Sequence, residues 1–192
     1  MLDKIKKIRE LMGAGVVEIK KALEETGGNE EKAIGILRKS GRQKAEKKLE
    51  REAKEGLVVS YIHSNGKVGA IIKLHCETDF VARNEEFQML AKDIAMHVTA
   101  MNPRYLKSED VPLEAVEKEK GTWISQLERE KKPRGMWDKI LSGKEEKFRR
   151  EISLLTQPFV KKPELTVGEL ITEKIGKIGE NIEVGEFCRV EI

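Results

Sequence analysis

The spacing of apolar residues changes abruptly at Gly56, and this change constrains the fold more than any other feature of the sequence. Before Gly56, apolar residues recur at steps of three and four, which is the spacing of amphipathic helices. After it come two runs rich in β-branched residues, 57–63 and 68–77. The break between them contains Asn65-Gly66, a pair typical of tight hairpin turns. The sequence therefore predicts a helical region followed by an antiparallel hairpin.

Residues 1–41 predict three short helices. Glycines at 13, 15, 27 and 28 interrupt the apolar pattern, Asn29 is a residue type that caps helix N-termini, and Ser40-Gly41 is expected to end the third helix. The apolar faces comprise Leu2, Ile5, Ile8 and Leu11; Val16, Ile19, Ala22 and Leu23; and Ala33, Ile34, Ile36 and Leu37. We therefore expect a small three-helix domain that is only marginally stable by itself.

Residues 42–55 predict a solvated helical linker. Ten of these fourteen residues are charged, and the only apolar ones are Ala45, Leu49 and Ala53. Spaced four apart, these three give a stripe too narrow for a core helix. The charges alternate in sign, which favours an exposed face with ion pairs over a nucleic-acid patch.

Residues 56–192 predict a core domain of helices and a small antiparallel sheet. The helical apolar spacing from Phe87 to Met101 stops at Asn102-Pro103. Ile182–Ile192 has the composition of a strand that could join the hairpin. Further helices are expected over 112–130, 136–155 and 166–175. The fold class is therefore α+β, with the three-helix domain at the N-terminus.

The composition favours a protein whose partners are other proteins. Lys and Arg number 37 against 34 Asp and Glu, so the formal charge is +3, unlike the one-signed surface of a dedicated nucleic-acid binder. Two cysteines without a CxxC pair exclude a disulfide framework and a zinc cluster of ordinary spacing. No apolar leader and no run of about eighteen apolar residues is present. We therefore expect a cytoplasmic protein without membrane or direct nucleic-acid contact.

A search for catalytic motifs finds none. His63, His75 and His97 do not accompany a serine or cysteine in a nucleophile motif, and phosphate-binding glycine loops are absent. His75 and Cys76 are adjacent on a predicted strand, so their side chains point to opposite faces and cannot easily share a metal ion. We therefore expect a protein that is not an enzyme, requires no metal or cofactor, and works by contact.

Two alternative functions remain open at this point. Gly176-Lys177-Ile178-Gly179 matches the GxxG loop with which KH domains clamp an RNA backbone. That loop joins two helices, whereas this one precedes a predicted strand, so a helix end followed by a turn is favoured. The runner-up is accordingly a three-helix binding module fused to an RNA-binding domain. An unrecognised enzyme is supported only by scattered carboxylates.

The segment Thr78–Asn84 directly follows the hairpin and predicts a sharp corner. Thr78 or Asp79 can cap a short helical turn, and Asn84 can cap the longer helix that follows. Phe80 would then lie at a rigid strand-to-helix junction. Periodicity alone favours a Phe80 side chain packed in the core beside Phe87.

Four segments of this sequence resemble elongation factor Ts. They are Ile8–Leu23, Thr78–Asn84, Leu154–Val160 and Ile175–Ile182, and together they extend over nearly the whole chain. The resemblance implies a ubiquitin-associated-like three-helix domain, a linker, and an α+β core or dimerisation domain. It also implies a guanine-nucleotide exchange factor that binds elongation factor Tu·GDP and promotes GDP release during protein synthesis.

The resemblance assigns two groups of contact residues. Arg9, Val16 and Val17 match positions that touch the GTPase domain of elongation factor Tu. Thr78, Asp79, Phe80 and Val81 match the corner that the family wedges between helices beside the nucleotide, loosening its magnesium and phosphate contacts. Met12 stands where the family usually has threonine, and Val16-Val17-Glu18-Ile19 replaces its usual Met-Met-Asp-Cys. The apolar docking face is nonetheless retained at 16 and 17.

The chain is short for the family, which is consistent with one copy of the core subdomain where longer members have two. A second subunit would have to supply the missing half. We therefore expect a homodimer that forms a 2:2 complex with elongation factor Tu, with Cys188 near the symmetry axis.

Overall fold

Three helices form the start of the chain in the computed structural model, which describes residues 1–192. They are α1 (Leu2–Met12), α2 (Val16–Glu25) and α3 (Glu30–Glu46). The first ends at Gly13, whose φ of 65° is left-handed. The third begins at Asn29, whose side chain accepts a hydrogen bond from the Lys32 amide at 3.0 Å. The predicted end of the first helix at Gly13 and the predicted Asn29 cap of the third are therefore confirmed.

The apolar faces of these helices meet in a small core of their own. Leu2 and Leu11, which were expected on the buried face of α1, are exposed. Each step of three residues falls about 60° short of a full turn, so the two ends of a four-member series lie on different sides of the helix. The residues that form the core are Ile5, Ile8, Ile19, Ala22, Leu23, Ala33 and Leu37.

The third helix does not stop at Ser40-Gly41. It continues to Glu46, after which residues 47–54 form turns and irregular chain. The helical linker predicted over 42–55 is therefore wrong beyond Glu46. Ala45, expected on a solvated stripe, is fully buried in a second core, the one that the later helices and the sheet form. Packing against the rest of the protein therefore extends the helix. The division into domains at 41 and 55 stays a prediction.

The sheet has three antiparallel strands in the order β1-β2-β5. The hairpin pairs β1 (Glu55–Ile62) with β2 (Val68–Cys76), and β5 (Ile182–Glu191) pairs with the other side of β2. The predicted hairpin and the predicted joining of the last strand are both confirmed. Because β2 lies in the centre, its residues are the most buried of the sheet.

One face of the sheet is covered by a helix, α5 (Glu85–Met101), which ends at Asn102 in a left-handed conformation with φ 48°. This helix confirms the predicted apolar face, except that Met101 is exposed. The core between sheet and helices includes Ile72, Leu74, Phe87, Leu90, Ala91, Ile94, Val98, Leu154, Ile175 and Ile182. The architecture is therefore α+β, as predicted.

The helices between α5 and the last strand complete the fold. They are α6 (Leu113–Arg129), α7 (Trp137–Ile152) and α8 (Val167–Ile178). A one-turn helix, α4 (Asp79–Ala82), lies between β2 and α5. Between α7 and α8 lies a ribbon of β3 (Pro158–Phe159) and β4 (Lys162–Thr166). The antiparallel pair α6 and α7 buries its own small cluster of Trp123, Leu127 and Leu141. No helix is long and apolar enough to cross a bilayer.

The GxxG match at Gly176–Gly179 forms the last turn of α8. Gly176 lies within the helix, and Gly179, with φ 95°, caps it. This segment does not join two helices, as the clamp of a KH domain does. The motif that supported the RNA-binding alternative is therefore part of a helix end.

Candidate functional site

The corner between β2 and α5 is built from two helix caps in close succession. After Cys76 ends β2, the Oγ1 of Thr78 accepts a hydrogen bond from the Val81 amide at 3.4 Å and caps the one-turn helix α4. Six residues later, the Oδ1 of Asn84 accepts one from the Glu86 amide at 2.8 Å and caps α5. The chain direction is therefore fixed at both ends of α4.

Phe80 points away from the protein at this corner. Its side chain is 80% exposed, whereas Phe87 is fully buried. The expectation from periodicity, that Phe80 packs beside Phe87, is wrong. Val81 and Ala82 pack against the core instead, and in a helix of a single turn this leaves Phe80 on the outward side. The structure thus exposes a large aromatic ring on a one-turn helix between the Thr78 and Asn84 caps.

Asp79 precedes Phe80 in the first turn of α4, where a negative charge is favoured by the helix dipole. Its carboxylate lies 3.0 Å from the Arg83 guanidinium, one helical turn away. Both side chains are largely solvent-exposed, so the pair contributes little to stability. It holds the carboxylate at the base of the corner, beside Phe80.

Glu180 fastens the start of the corner to the end of α8. Its Oε2 accepts hydrogen bonds from the backbone amides of Glu77 at 3.1 Å and Thr78 at 3.0 Å. Its Oε1 accepts one from the Thr78 hydroxyl at 2.7 Å. One carboxylate therefore satisfies three donors at the point where β2 leaves the sheet.

A second set of hydrogen bonds joins the same two segments, but here the segment after α8 supplies the donors and the corner supplies the acceptor. The Glu77 carboxylate accepts a hydrogen bond from the Asn181 amide at 2.7 Å. The buried side chain of Asn181 in turn donates to the Arg51 carbonyl at 2.7 Å and to the Glu183 carboxylate at 2.6 Å. The corner, the turn after α8 and the segment before β1 are therefore joined in one network.

The sequence gives little signal for this network. Glu180 lies about 100 positions from Thr78, and neither helical nor strand periodicity relates them. The only indication is that Ile175–Ile182 is among the four segments that resemble elongation factor Ts. Sequence reasoning missed Glu180, Glu77 and Asn181 as supports of the corner.

Cys76 lies beneath the corner and is fully buried. Burial, the negative charge of Glu180 and other nearby groups raise the pKa of the Cys76 thiol to about 11. The thiol donates to the Thr78 carbonyl at 3.2 Å. It is therefore protonated at neutral pH and serves the corner as a packed hydrogen-bond donor.

The other predicted contact residues lie on the three-helix domain. Arg9 is exposed near the end of α1, and Val16 and Val17 are exposed at the start of α2, the latter by 81%. The turn at Gly13–Gly15 separates Arg9 from the two valines. These three side chains therefore flank one end of the helical domain.

Lys177 links the three N-terminal helices to the helix that follows the corner. The Lys177 ammonium donates to the Glu10 carbonyl at 3.3 Å and lies 2.6 Å from the Glu86 carboxylate. Burial alone raises the pKa of Glu86, but hydrogen bonds from Lys177 and Lys174 outweigh it and hold that pKa below its usual value. Lys177 thus connects the end of α1 with the start of α5, immediately after the corner.

The histidines lie apart from the corner. His97 is fully buried and bonds Gln157 and the Val160 amide, while His75 and Cys76 follow each other on β2. No three His, Cys, Asp or Glu side chains are grouped as a metal ion would require. The corner remains the most distinctive exposed feature of the core domain.

Comparison with known proteins gives a consistent result. Residues 43–192 match the family model described as "Elongation factor TS". Elongation factor Ts of Thermodesulfovibrio yellowstonii is 54% identical over 98% of this chain and 94% of its own length. That of Pseudothermotoga lettingae is 51% identical over 99% and 96%, and that of Carboxydothermus hydrogenoformans 48% identical over 98% and 87%.

Proposed function

This chain belongs to the elongation factor Ts family and is a guanine-nucleotide exchange factor for elongation factor Tu, and we propose that Phe80 is the side chain that drives exchange. The protein binds elongation factor Tu·GDP during translation elongation and promotes release of GDP, so that GTP can bind. The observation that carries the proposal for Phe80 is its exposed ring on a short helix that Thr78 caps at its N-terminus and that is followed directly by the Asn84 cap of α5.

The chemistry required is a coupling between two binding events. A partner that binds the nucleotide-free GTPase more tightly than the GDP form must weaken GDP binding by the same factor. No covalent bond is made or broken, so the chain needs neither a nucleophile nor a cofactor. Exchange proceeds toward the GTP form because GTP is the more abundant nucleotide, and the factor changes only the rate.

Phe80 has the properties needed for such coupling. Burying a phenylalanine ring stabilises a complex by roughly 1.5 to 3 kcal/mol, which corresponds to a tenfold to hundredfold shift in affinity. The gain counts toward exchange only if the ring finds its pocket in the empty GTPase and not in the GDP form. The rest of the coupling comes from the wider interface.

The neighbours of Phe80 have distinct proposed roles. Asp79 orients the corner through its ion pair with Arg83 and offers a carboxylate to a basic group of the GTPase. Thr78 fixes the start of α4, and Val81 anchors the helix to the core beneath the ring. These residues present Phe80, while the ring itself enters the partner.

The three-helix domain is proposed to dock on the GTPase domain through Arg9, Val16 and Val17. Exposed apolar side chains beside a cation suit a small contact surface with an apolar centre. Its fold is proposed to be of the ubiquitin-associated type. The domain and the corner would then hold elongation factor Tu at two places.

The open face of the sheet is proposed to form a homodimer, and hence a 2:2 complex. The face not covered by α5 carries exposed apolar side chains from all three strands: Val58, Ile62, Ile71 and Val190. Cys188 is exposed opposite Ile71 on this face. A two-fold axis would bring this apolar patch against the same patch of a second copy and bury both. We place the complex in the cytoplasm, where translation takes place.

The test is release of a fluorescent GDP analogue from elongation factor Tu. The unaltered chain is expected to accelerate release, and Phe80→Ala to reduce the maximal rate by about tenfold to hundredfold. Leu113→Ala is the matched control, because Leu113 is also large, apolar and 71% exposed but lies on α6.

The outcomes separate two claims. No acceleration by the unaltered chain would contradict the exchange function itself. Full acceleration by Phe80→Ala would remove only the role of Phe80. An equal loss in Leu113→Ala would show that exposed apolar area in general, and not this ring, determines the rate.

A further inference from the structure

The helix that carries Phe80 is too short to hold the ring in place by itself. α4 contains four residues, and an isolated single turn is unstable because nucleating a helix is unfavourable. The Thr78 cap, at 3.4 Å, is a long hydrogen bond. Contacts with the rest of the protein must therefore fix its orientation: Val81 and Ala82 pack against the core, and Glu180 accepts three hydrogen bonds at the start of the corner.

We propose that Glu180 is a positioning residue for nucleotide exchange, which clamps the Glu77–Thr78 backbone so that Phe80 is presented in the orientation that enters the GTPase. This inference rests on the proposed role of Phe80. Glu180 does not itself touch elongation factor Tu in this account and acts only through the ring.

The geometry of the clamp suits this role. Both amides that Glu180 binds belong to the last residues before α4, so their orientation sets the axis of that helix. Hydrogen bonds to an ionised acceptor are about twice as strong as neutral ones. The third bond, from the Thr78 hydroxyl at 2.7 Å, also directs the Oγ1 that caps α4.

Glu180 is itself held firmly. It follows Gly179, whose left-handed φ of 95° ends α8 and turns the chain toward the corner. The next residue, Asn181, is fully buried and returns a hydrogen bond to Glu77 at 2.7 Å. The corner and the turn after α8 therefore donate hydrogen bonds to each other, and the turn fixes the orientation of the corner.

The clamp also reaches the three-helix domain. Asn181 donates to the Arg51 carbonyl, and Arg51 belongs to the irregular segment between α3 and β1. The segment that connects the three-helix domain to the sheet is thereby hydrogen-bonded to the same turn that contains Glu180. The position of the docking domain and the orientation of Phe80 thus share one support.

The experiment compares Glu180→Ala and Glu180→Gln in GDP release from elongation factor Tu. We expect Glu180→Ala to lower the maximal exchange rate about tenfold, the scale of losing charge-assisted hydrogen bonds. The concentration giving half-maximal exchange should change by less than about threefold, because the docking surface is intact. Glu180→Gln should recover most of the rate, because its amide oxygen can still accept from the two backbone amides.

Two further measurements distinguish positioning from a general loss of structure. In the Phe80→Ala background, Glu180→Ala should cost almost nothing more, because both changes act through the same ring. Amide hydrogen exchange at Glu77 and Thr78 should accelerate in Glu180→Ala. The matched control is Glu164→Ala, an exposed glutamate on β4 without a hydrogen-bonded partner, which should retain the full rate.

The proposal is overturned if Glu180→Ala exchanges at the full rate, or if its loss is undiminished in the Phe80→Ala background. If Glu180→Ala does not fold, Glu180→Asp takes its place, because the shorter side chain cannot reach all three donors at once; its exchange rate must fall, and that loss must vanish in the Phe80→Ala background. Failure of the underlying role of Phe80 is recognised separately, because Phe80→Ala alone would then exchange normally.

Discussion

His97 lies in the core as a neutral imidazole, and its surroundings define which nitrogen carries the proton. Nδ1 accepts from the Val160 amide at 3.2 Å, so Nε2 donates to the Gln157 carbonyl oxygen at 2.9 Å. Gln157 is oriented for this by its own bond to the Glu151 carbonyl. Burial lowers the pKa of His97 below its ordinary value, although the bond to Gln157 opposes the shift.

This lowered pKa predicts a loss of stability in mild acid. The unfolded chain binds a proton at His97 near pH 6.5, whereas the folded chain binds it only at lower pH. The contribution of His97 to the free energy of unfolding should therefore be constant above about pH 7 and fall as the pH drops below about 6.5. Denaturant titrations of the unaltered chain and His97→Gln measure it. In His97→Gln, the free energy of unfolding should fall less steeply below about pH 6.5 than in the unaltered chain. The same pH dependence in both proteins would contradict the lowered pKa of His97.

At the scale of single residues, sequence reasoning identified the corner but not its support. Thr78 and Asn84 were recognised as caps because their side chains suit that role locally. Periodicity did not predict the outward direction of Phe80, because one helical turn is too short to show a period. The protruding side chain was implied only by the resemblance to elongation factor Ts. Glu180 was missed because its partners are distant in sequence.

At the scale of elements, the crossing of α3 and α8 joins the helical domain to the core. Gly176 of α8 faces the Gly41 backbone of α3, and a Cβ at Gly176 would lie 3.2 Å from the Gly41 carbonyl oxygen. Arg42 and Glu169 form an ion pair across the same contact at 3.2 Å. The absence of a side chain at Gly176 thus permits the helices to pack.

Gly176→Val is therefore expected to lower the free energy of unfolding by about 1 to 3 kcal/mol, because backbone atoms must move to admit the side chain. Gly35→Val is the control, since Gly35 also lies within a helix but has open space around its Cβ position. Its effect should stay within about 0.5 kcal/mol. Equal stability of the two variants in thermal unfolding would show that the crossing is not tightly packed.

Local patterns predicted most elements correctly, and tertiary contacts decided the exceptions. The hairpin, α5 and the last strand followed from period and turn chemistry, which act over short distances. The end of α3 did not, because Ser40-Gly41 has the composition of a helix stop. Burial of Ala45 in the second core and the crossing with α8 keep the helix intact there.

At the scale of the whole molecule, the sheet presents one face that nothing in the chain covers. Ile71, at the centre of that face, is 54% exposed although β2 is the central strand. A central strand is normally shielded on both faces or polar on one. This is the strongest physical argument for the proposed homodimer.

If the proposed dimer forms through this face, Ile71→Lys is expected to leave the chain monomeric, because a second copy would have to bury the added charge. Light scattering at micromolar concentration measures the mass, and Leu113→Lys provides the control of an exposed leucine on α6. A monomeric unaltered chain would contradict the dimer. A dimer that survives Ile71→Lys would place the interface elsewhere.

In the proposed mechanism, Phe80 favours the empty GTPase over the GDP-bound one. The most direct measurement is the equilibrium affinity of the unaltered chain and of Phe80→Ala for elongation factor Tu, with GDP bound and without nucleotide. We predict that the substitution weakens binding to the empty form about tenfold to hundredfold and binding to the GDP form less than about twofold. Equal losses from both forms, or no loss from either, would contradict the account.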